Sequence, residues 1–462
     1  MIARNPSSFP RNDQGRPALS GLPFWTLLFS LLLGGCQPTV YLMPTPVALR
    51  TGELDPFKGN PNLEATNRVR IFYATNRVPI GPENQRFYTL AHEEAIHLGE
   101  AELEIGSEQT LWEKLYAGST VAEREEKWPL RLLGAREVAT LWSRQTMEPL
   151  SPELERFFER LNARIDASLH RELTIYIHGA NNNFYRGSAQ AAQFQHFTGH
   201  NAVVLLFAWP SAANLFRYGT DVMNTAESAP VLGRLLTLLA RPRTARHINI
   251  LAYSAGAMVL SPGLRQLRNL DGKESPETLR QKLRLGEIYY AAPDVDFRSF
   301  LHDLSEYKEM TCNVTLTVNL EDSVLGLAQD FHGTSRAGRP DLEELSLEET
   351  RWLIEASRHT VFDIIDVGNS EIPGFPSGSH GFWYQHPWVS SDVLVQFLYH
   401  ARPAERGLAR YRTEKDAIIW YFPEDYPERV VEAVKRLDAA RRQACQQDGG
   451  NAPPPGNGAP GR

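Results

Sequence analysis

The run Ile248-Asn249-Ile250-Leu251-Ala252-Tyr253-Ser254-Ala255-Gly256-Ala257-Met258 reads as an apolar strand, a tight turn of small residues with a serine at its tip, and the start of a helix. A sharp strand-to-helix turn of this kind pushes a hydroxyl out above the end of a sheet. Small residues flank the serine because the turn brings the strand and helix backbones close together. The usual form of such an elbow is Gly-x-Ser-x-Gly, and here Ala252 stands in the place of the first glycine. One added methyl leaves the turn feasible but tighter. Short strings like this recur at many strand ends, so its meaning depends on what surrounds it.

Around it lie eight apolar or β-rich runs, at 69–74, 101–105, 173–178, 203–208, 248–252, 287–291, 314–320 and 361–366. From the third onward most are separated by helical stretches, the alternation of a parallel α/β sheet. The first two precede any clear crossover helix and are expected to form an antiparallel edge. Eight strands with a serine elbow after the fifth is the order of an α/β-hydrolase: a mostly parallel eight-stranded sheet flanked by helices. Residues 107–169 read as a charged, mostly helical insertion between the second and third strands, because their Leu and Trp residues recur at helical spacing. Residues 341–358 read as a helix before the last strand, and 393–400 and 427–445 as amphipathic helices after it.

A serine hydroxyl is a poor nucleophile at neutral pH and needs a neighbouring base. That base is usually a histidine oriented by a carboxylate, and on this kind of sheet the chain order is serine, acid, histidine. Asp322 follows the seventh run and is the expected acid; Asp294, in Ala292-Pro293-Asp294-Val295-Asp296 after the sixth, is the competitor or a turn residue. Strand alternation turns the adjacent Glu321 to the other face. His380, in Ser377-Gly378-Ser379-His380-Gly381 after the eighth run, is the expected base, with His386 as the alternative; His332 and His359 fit the order poorly. The developing oxyanion needs two backbone N–H donors. Ala255, directly after the serine, is expected to supply one. Ala180, in the loop His178-Gly179-Ala180-Asn181-Asn182-Asn183 after the third run, is expected to supply the other.

The N-terminus carries a second signal. Arg4, Arg11 and Arg16 precede an apolar stretch from Leu22 to Leu33. That stretch is about 12 residues, too short to span ~30 Å of hydrocarbon as a helix but suited to a signal-peptide core. It ends in Leu33-Gly34-Gly35-Cys36, which resembles a bacterial lipobox. The resemblance implies that residues 1–35 are removed and that Cys36 is acylated. Gln37, rather than aspartate, implies outer-membrane sorting by likeness to Gram-negative lipoproteins. Residues 36–67 are expected to be a tether, 68–445 the α/β-hydrolase domain, and the Gly/Pro/Asn-rich 446–462 a disordered tail.

The chain of 462 residues is 42% hydrophobic, enough for a large core. Its net charge of -7 argues against a nucleic-acid partner, which favours basic surfaces. Cys312 and Cys445 remain beside Cys36; their separation leaves both a disulfide and two free thiols open. No Cys-x-x-Cys or His-x-x-x-His spacing occurs, so no metal is expected, and the lack of a cofactor motif makes a cofactor unexpected.

Taken in order, six pieces resemble a bacterial α/β-hydrolase family of unknown function, within the esterase/lipase superfamily. They are Phe72-Tyr73-Ala74-Thr75-Asn76-Arg77, Ile177-His178-Gly179-Ala180-Asn181-Asn182, Phe207-Ala208-Trp209-Pro210-Ser211, Ala252-Tyr253-Ser254-Ala255-Gly256, Ala292-Pro293-Asp294-Val295-Asp296 and Ser379-His380. The family's elbow commonly has His before the serine and Met after it, where this chain has Tyr253 and Ala255. The expected activity is that of a membrane-anchored serine hydrolase acting on a small-molecule or lipid-like acyl ester or thioester, facing the periplasm. Amide cleavage or acyl transfer by the same residues, and a non-catalytic binding platform, are the alternatives. Arg217, Tyr218 and Asp221 read as pocket wall or structural hydrogen bonding. Thr75-Asn76-Arg77 is expected to pin the end of the first strand. Phe382, Trp383, Tyr384 and Trp388 divide between acyl pocket and core. The oligomeric state is not legible.

Overall fold

Strand order in the sheet is β10-β11-β9-β8-β7-β6-β4-β5-β1-β2-β3. The strands are β1 (Arg68–Ile80), β2 (Phe87–Ile105), β3 (Leu130–Trp142), β4 (Leu173–Ile177), β5 (Val203–Ala208), β6 (Ile248–Tyr253), β7 (Leu285–Ala291), β8 (Asn313–Val318), β9 (Phe362–Asp366), β10 (Ala409–Arg412) and β11 (Ile418–Tyr421). From β11 through β1 the strands run parallel, while β10, β2 and β3 pair antiparallel at the two margins. The computed structural model describes residues 39–449 apart from 59, 61, 122–123, 125, 213, 242–244, 271–273, 359–360, 369–371 and 377. Val40 begins the unit that carries these elements.

The central strands are buried along their whole length, as expected of a parallel sheet covered on both faces. Successive side chains alternate between two cores. Leu173, Ile175 and Ile177 of β4 point to one, with Val203, Leu205 and Phe207 of β5. Helices α2 (Pro152–Ala167), α4 (Tyr218–Leu239), α5 (Gly256–Leu270), α6 (Pro276–Leu283), α7 (Phe297–Tyr307) and α9 (Leu347–Arg358) pack there. Tyr176, Val204, Leu206 and Leu251 point to the other, under α3 (Phe184–Phe197), α11 (Pro387–Tyr399) and α12 (Tyr426–Gly449). Helices α1 (Trp112–Ser119), α8 (Ser323–His332) and the short α10 (Phe382–Gln385) complete the set. Among the described residues no helix is long and apolar enough to cross a membrane.

The expected α/β-hydrolase architecture is present, and all eight expected runs fall on strands. The sheet has eleven strands rather than eight. The segment 107–169 is not mostly helical: α1 and α2 frame β3, which pairs with β2 from Ala95↔Trp142 to Ile105↔Leu130. Register shifts opposite Leu98/Gly99 and Glu102/Leu103 add a residue to β3 at Val138 and Leu133. Such bulges break strict alternation, which is why the segment mimics helical spacing. In α2 the helical reading holds. Ser151 accepts from the Leu154 N–H, Pro152 starts the helix, and Leu154, Phe157, Phe158, Leu161 and Ile165 form its buried stripe.

The stretch 36–67 does not behave as a free tether over its described part. Leu42, Met43, Val47, Ala48, Leu49, Leu54 and Phe57 are buried, and the Ala48 N–H donates to Ser391 Oγ of α11. The helix expected at 427–445 extends to Gly449, while the rest of the expected tail lies outside the described residues, as do the expected signal peptide 1–35 and Cys36. Cys312 carries a free thiol.

Candidate functional site

Ser254 directly follows β6, and its φ of 52° is left-handed. For a residue with a side chain that conformation is strained, and it persists only where the surroundings impose it. Here they do so on both sides. The Ser254 N–H donates to the Ala291 carbonyl at 3.0 Å, and its own carbonyl accepts from the Asp294 N–H at 3.0 Å. A Cβ on Gly256 would lie 2.7 Å from the Ile177 carbonyl oxygen, and one on Gly179 would lie 2.8 Å from the Ser254 Cβ. Both glycines are required by close approach. Ala252, by contrast, fits in the strand with its methyl fully buried.

His380 comes from the loop after β9, and its Nε2 lies 2.8 Å from Ser254 Oγ. Its Nδ1 lies 2.8 Å from Asp322 Oδ2. Asp322 follows β8 and caps α8: its Oδ1 accepts from the N–H groups of Val324 and Leu325 at 3.0 Å each. The carboxylate is wholly buried, so the helix terminus and the imidazole fix its orientation and satisfy its charge. The Tyr253 ring lies 5.3 Å from the imidazole.

The structure thus brings Ser254, His380 and Asp322 together and leaves the competitors elsewhere. Asp294 is buried in an ion pair with Arg336 Nε at 2.7 Å, and it accepts from Tyr218 OH at 2.6 Å. His386 caps α11, its Nδ1 accepting from the Trp388 N–H; burial lowers its pKa to about 4. His332 meets Tyr218 OH at 3.1 Å. Among the aromatic residues next to His380, Phe382, Trp383 and Trp388 are core; Tyr384 lines the cavity.

The loop after β4 arches over the serine. Asn181 adopts a left-handed φ of 56°, and its N–H donates to Asp221 Oδ2 at 3.2 Å. The Asn182 N–H donates to Ser211 Oγ at 3.2 Å. Among the described residues, no protein acceptor takes the N–H of Ala180 or Ala255. Unengaged backbone donors beside a nucleophile are what an oxyanion requires. The loop is pinned from below by Arg77, fully buried, which donates to the carbonyls of Asn182 at 2.9 Å and Ala208 at 3.3 Å. Burial lowers its pKa to about 9, which leaves it charged at neutral pH. Arg77 does not mark the end of β1, which runs on to Ile80; from within that strand it ties down the loop after β4 and the end of β5. Asp221 is structural, holding Asn181, Ser211 and Ala212. His178 stacks on Trp209 with ring centroids 5.3 Å apart. Burial, then the nearby Arg77 charge, push its pKa down to about 3, so it stays neutral and offers no competing base.

A cavity of about 420 Å³ opens at this point, lined by Ala180, Asn181, Asn182, Arg186, Tyr218, Tyr253, Ser254, Asp294, Val324, Leu327, Ala328, Phe331, His380 and Tyr384. Its position, at the carboxyl ends of parallel strands, is where open α/β sheets bind ligands. Reading the sequence missed the contributions of Arg186 and α8. The helix is apolar on more than one side, and only packing decides which side faces the cavity.

The profile of the family described as "Alpha/beta hydrolase of unknown function (DUF900)" matches residues 155–376. Over those residues the chain is similar to that family, and its sheet has the α/β-hydrolase architecture. The match supports a hydrolase; it spans β4 to β9, includes Ser254 and Asp322, and ends just before His380. No curated protein and no solved structure matches the chain.

Among the described residues, one group of three metal-ligand-type side chains occurs in this α/β-hydrolase: Glu172, His247 and His400, with ligand atoms within 4.8 Å of one another. It sits beside the amino ends of β4 and β6, at the opposite end of the sheet from Ser254. Its members are linked as an ion-pair chain. His400 Nε2 meets Glu172 Oε1 at 2.6 Å, its Nδ1 meets Glu287 Oε1 at 3.3 Å, and Asn249 donates to Glu172 Oε2 at 2.6 Å. Burial pulls the His400 pKa down, but the two carboxylates outweigh it and raise the value to about 10. Burial raises the Glu172 pKa, and its histidine partners outweigh that, lowering it to about 2.

Proposed function

We propose that this α/β-hydrolase is a serine hydrolase that cleaves an ester or thioester through an acyl-enzyme. Ser254 Oγ attacks the carbonyl carbon while His380 Nε2 takes its proton. The Ala180 and Ala255 N–H groups stabilise the resulting oxyanion. The tetrahedral species collapses, and the alcohol or thiol leaves with the proton from His380. Water then attacks the acyl carbon, His380 takes a proton from it, and the carboxylic acid departs as Ser254 is reprotonated. Asp322 keeps the proton of the neutral imidazole on Nδ1 and stabilises the imidazolium. The observation that supports this reading is the continuous hydrogen-bonded line from Asp322 Oδ2 through His380 to Ser254 Oγ, 2.8 Å at each step. The opening of the cavity to solvent favours hydrolysis over acyl transfer, which needs water excluded. The test is turnover of p-nitrophenyl acetate by the purified full chain. Activity abolished by Ser254→Ala supports the reading; activity unaffected by that change refutes it.

The same proposal includes a lipid anchor on Cys36, with the mature chain on the outer membrane and facing the periplasm. The support is the basic, apolar and Leu-Gly-Gly-Cys order of residues 1–36. Mass spectrometry of the N-terminal peptide from the membrane fraction is expected to find an acylated Cys36 as the first residue. An unmodified Cys36 inside a longer peptide overturns the anchor.

A further inference from the structure

We propose that the ester cleaved at Ser254 carries an apolar chain of medium length, laid along the exposed face of α8. This inference rests on the serine-hydrolase reading above and names the substrate class for the same site.

Helix α8 starts at Asp322, the residue that holds His380, and runs along the cavity. Val324, Leu327, Ala328 and Phe331 line the cavity together with Ser254 and His380. Their spacing of three and four residues puts them on one helical face. Most of that face is bare: Val324 is 40%, Leu327 65% and Phe331 61% exposed, with Ala328 buried at its edge, and Leu320, just before the helix, is 56% exposed. Its opposite side packs inward through Leu325. Apolar residues scattered singly on a surface need no explanation, but a contiguous strip that runs into a ligand cavity marks a binding surface.

The polar groups of the cavity sit at the reacting end or are already engaged, apart from Arg186 Nε, which has no partner among the described residues although its Nη1 donates to the Asn181 carbonyl in the loop beside Ser254. Ser254 and His380 meet each other, and Asn181 and Asn182 frame the loop beside them. On the wall, Tyr218 donates to Asp294, which also holds Arg336. The α8 side presents no donor or acceptor side chain to the cavity. A peptide or sugar lying there would lose water from its own polar groups without replacement, a cost of the order of a hydrogen bond for each group. A hydrocarbon chain has no such cost and gains from leaving water. From Val324 to Phe331 the helix rises about 10 Å at ~1.5 Å per residue, the reach of a medium-length chain.

The chain belongs either to the acyl part or to the alcohol part, and two ester series separate these. The full chain is assayed against p-nitrophenyl acetate, butyrate and octanoate, and against ethyl, butyl and octyl acetate. We expect kcat/KM to rise about tenfold from the shortest to the longest member of one series, since each covered methylene adds to binding. Leu327→Asn and Phe331→Ser alter exposed positions, and thermal melting is expected to show them folded. Each should lower the long-to-short ratio about fivefold, and Leu327→Met should restore it. Turnover of the acetates with flat or falling rates in both series overturns the proposal and leaves the serine-hydrolase reading standing. A long-to-short ratio unmoved by both substitutions overturns it as well. If no ester is cleaved, the acetates included, the serine-hydrolase reading falls and the substrate class falls with it.

Discussion

Replacing Asp322 by asparagine isolates the role of the buried carboxylate. Its Oδ1 accepts from the N–H groups of Val324 and Leu325, and its Oδ2 from His380 Nδ1. In Asp322→Asn the two helix N–H groups still require an acceptor, so the amide oxygen takes the Oδ1 place. The amide NH₂ must then face Nδ1 and present a donor where an acceptor stood. The imidazole responds by carrying its proton on Nε2, which removes the lone pair that accepts from Ser254. Forcing the wrong tautomer in this way costs about 10⁴ in kcat, about 5 kcal/mol of transition-state stabilisation. The helix cap survives, so the melting temperature should stay near that of the native protein. Asp294→Asn has the opposite profile. It weakens a buried pair with Arg336, costing about 3 kcal/mol of stability, while the folded protein keeps its rate within about tenfold. The assay is p-nitrophenyl ester hydrolysis with thermal melting in parallel. Asp322→Asn within tenfold of the native rate, or Asp294→Asn as impaired as Asp322→Asn, refutes the assignment.

Other consequences follow from named contacts. Gly179→Ala places a methyl 2.8 Å from the Ser254 Cβ; displacing the oxyanion loop should cost about 10² in kcat, measured on the same ester. Arg77→Met strips the buried Asn182 carbonyl of the Arg77 donor and leaves the Ala208 carbonyl to Thr75 Oγ1, and should destabilise by about 2 kcal/mol in urea unfolding. His400→Ala removes the imidazole that bridges Glu172 and Glu287, leaving Glu172 with His247. The loss should be about 2 kcal/mol near pH 6, below that of a fully buried pair because the His400 side chain is 26% exposed. A folded-state pKa of about 10, above the ordinary 6.5, makes the His400 contribution complete below pH 6.5 and lost as pH rises through 10. The Glu172 contribution, with its pKa lowered to about 2, is complete above its ordinary 4.5 and lost as pH falls through 2. Unfolding free energies of the native and His400→Ala proteins should therefore converge between pH 6.5 and 10.

The central sheet was legible in the sequence because strands buried on both faces must be apolar throughout, and the helices between them force parallel pairing. The site was legible for a related reason. Loops at one end of such strands converge, so the proximity of Ser254, Asp322 and His380 could be expected from their order. Asp322 was the expected acid because it follows the seventh run; the structure sets it 2.8 Å from His380 Nδ1 and pairs Asp294 with Arg336. The margins were not legible. Bulges at Leu133 and Val138 hid β3, and β10 and β11 are four residues each. The segment from Val40 to Phe57 has its buried side chains spread irregularly among prolines and glycines. No period announces that Leu49 or Phe57 packs against the body. The α8 wall was hidden because its apolar residues occupy both the inward and the cavity side.

The most direct test of an activated nucleophile is fluorophosphonate labelling of the purified full chain, with the modified peptide mapped by mass spectrometry. The account expects one label, on Ser254, lost in His380→Ala and greatly slowed in Asp322→Asn. A folded protein that takes no label, or takes it on another residue, contradicts it.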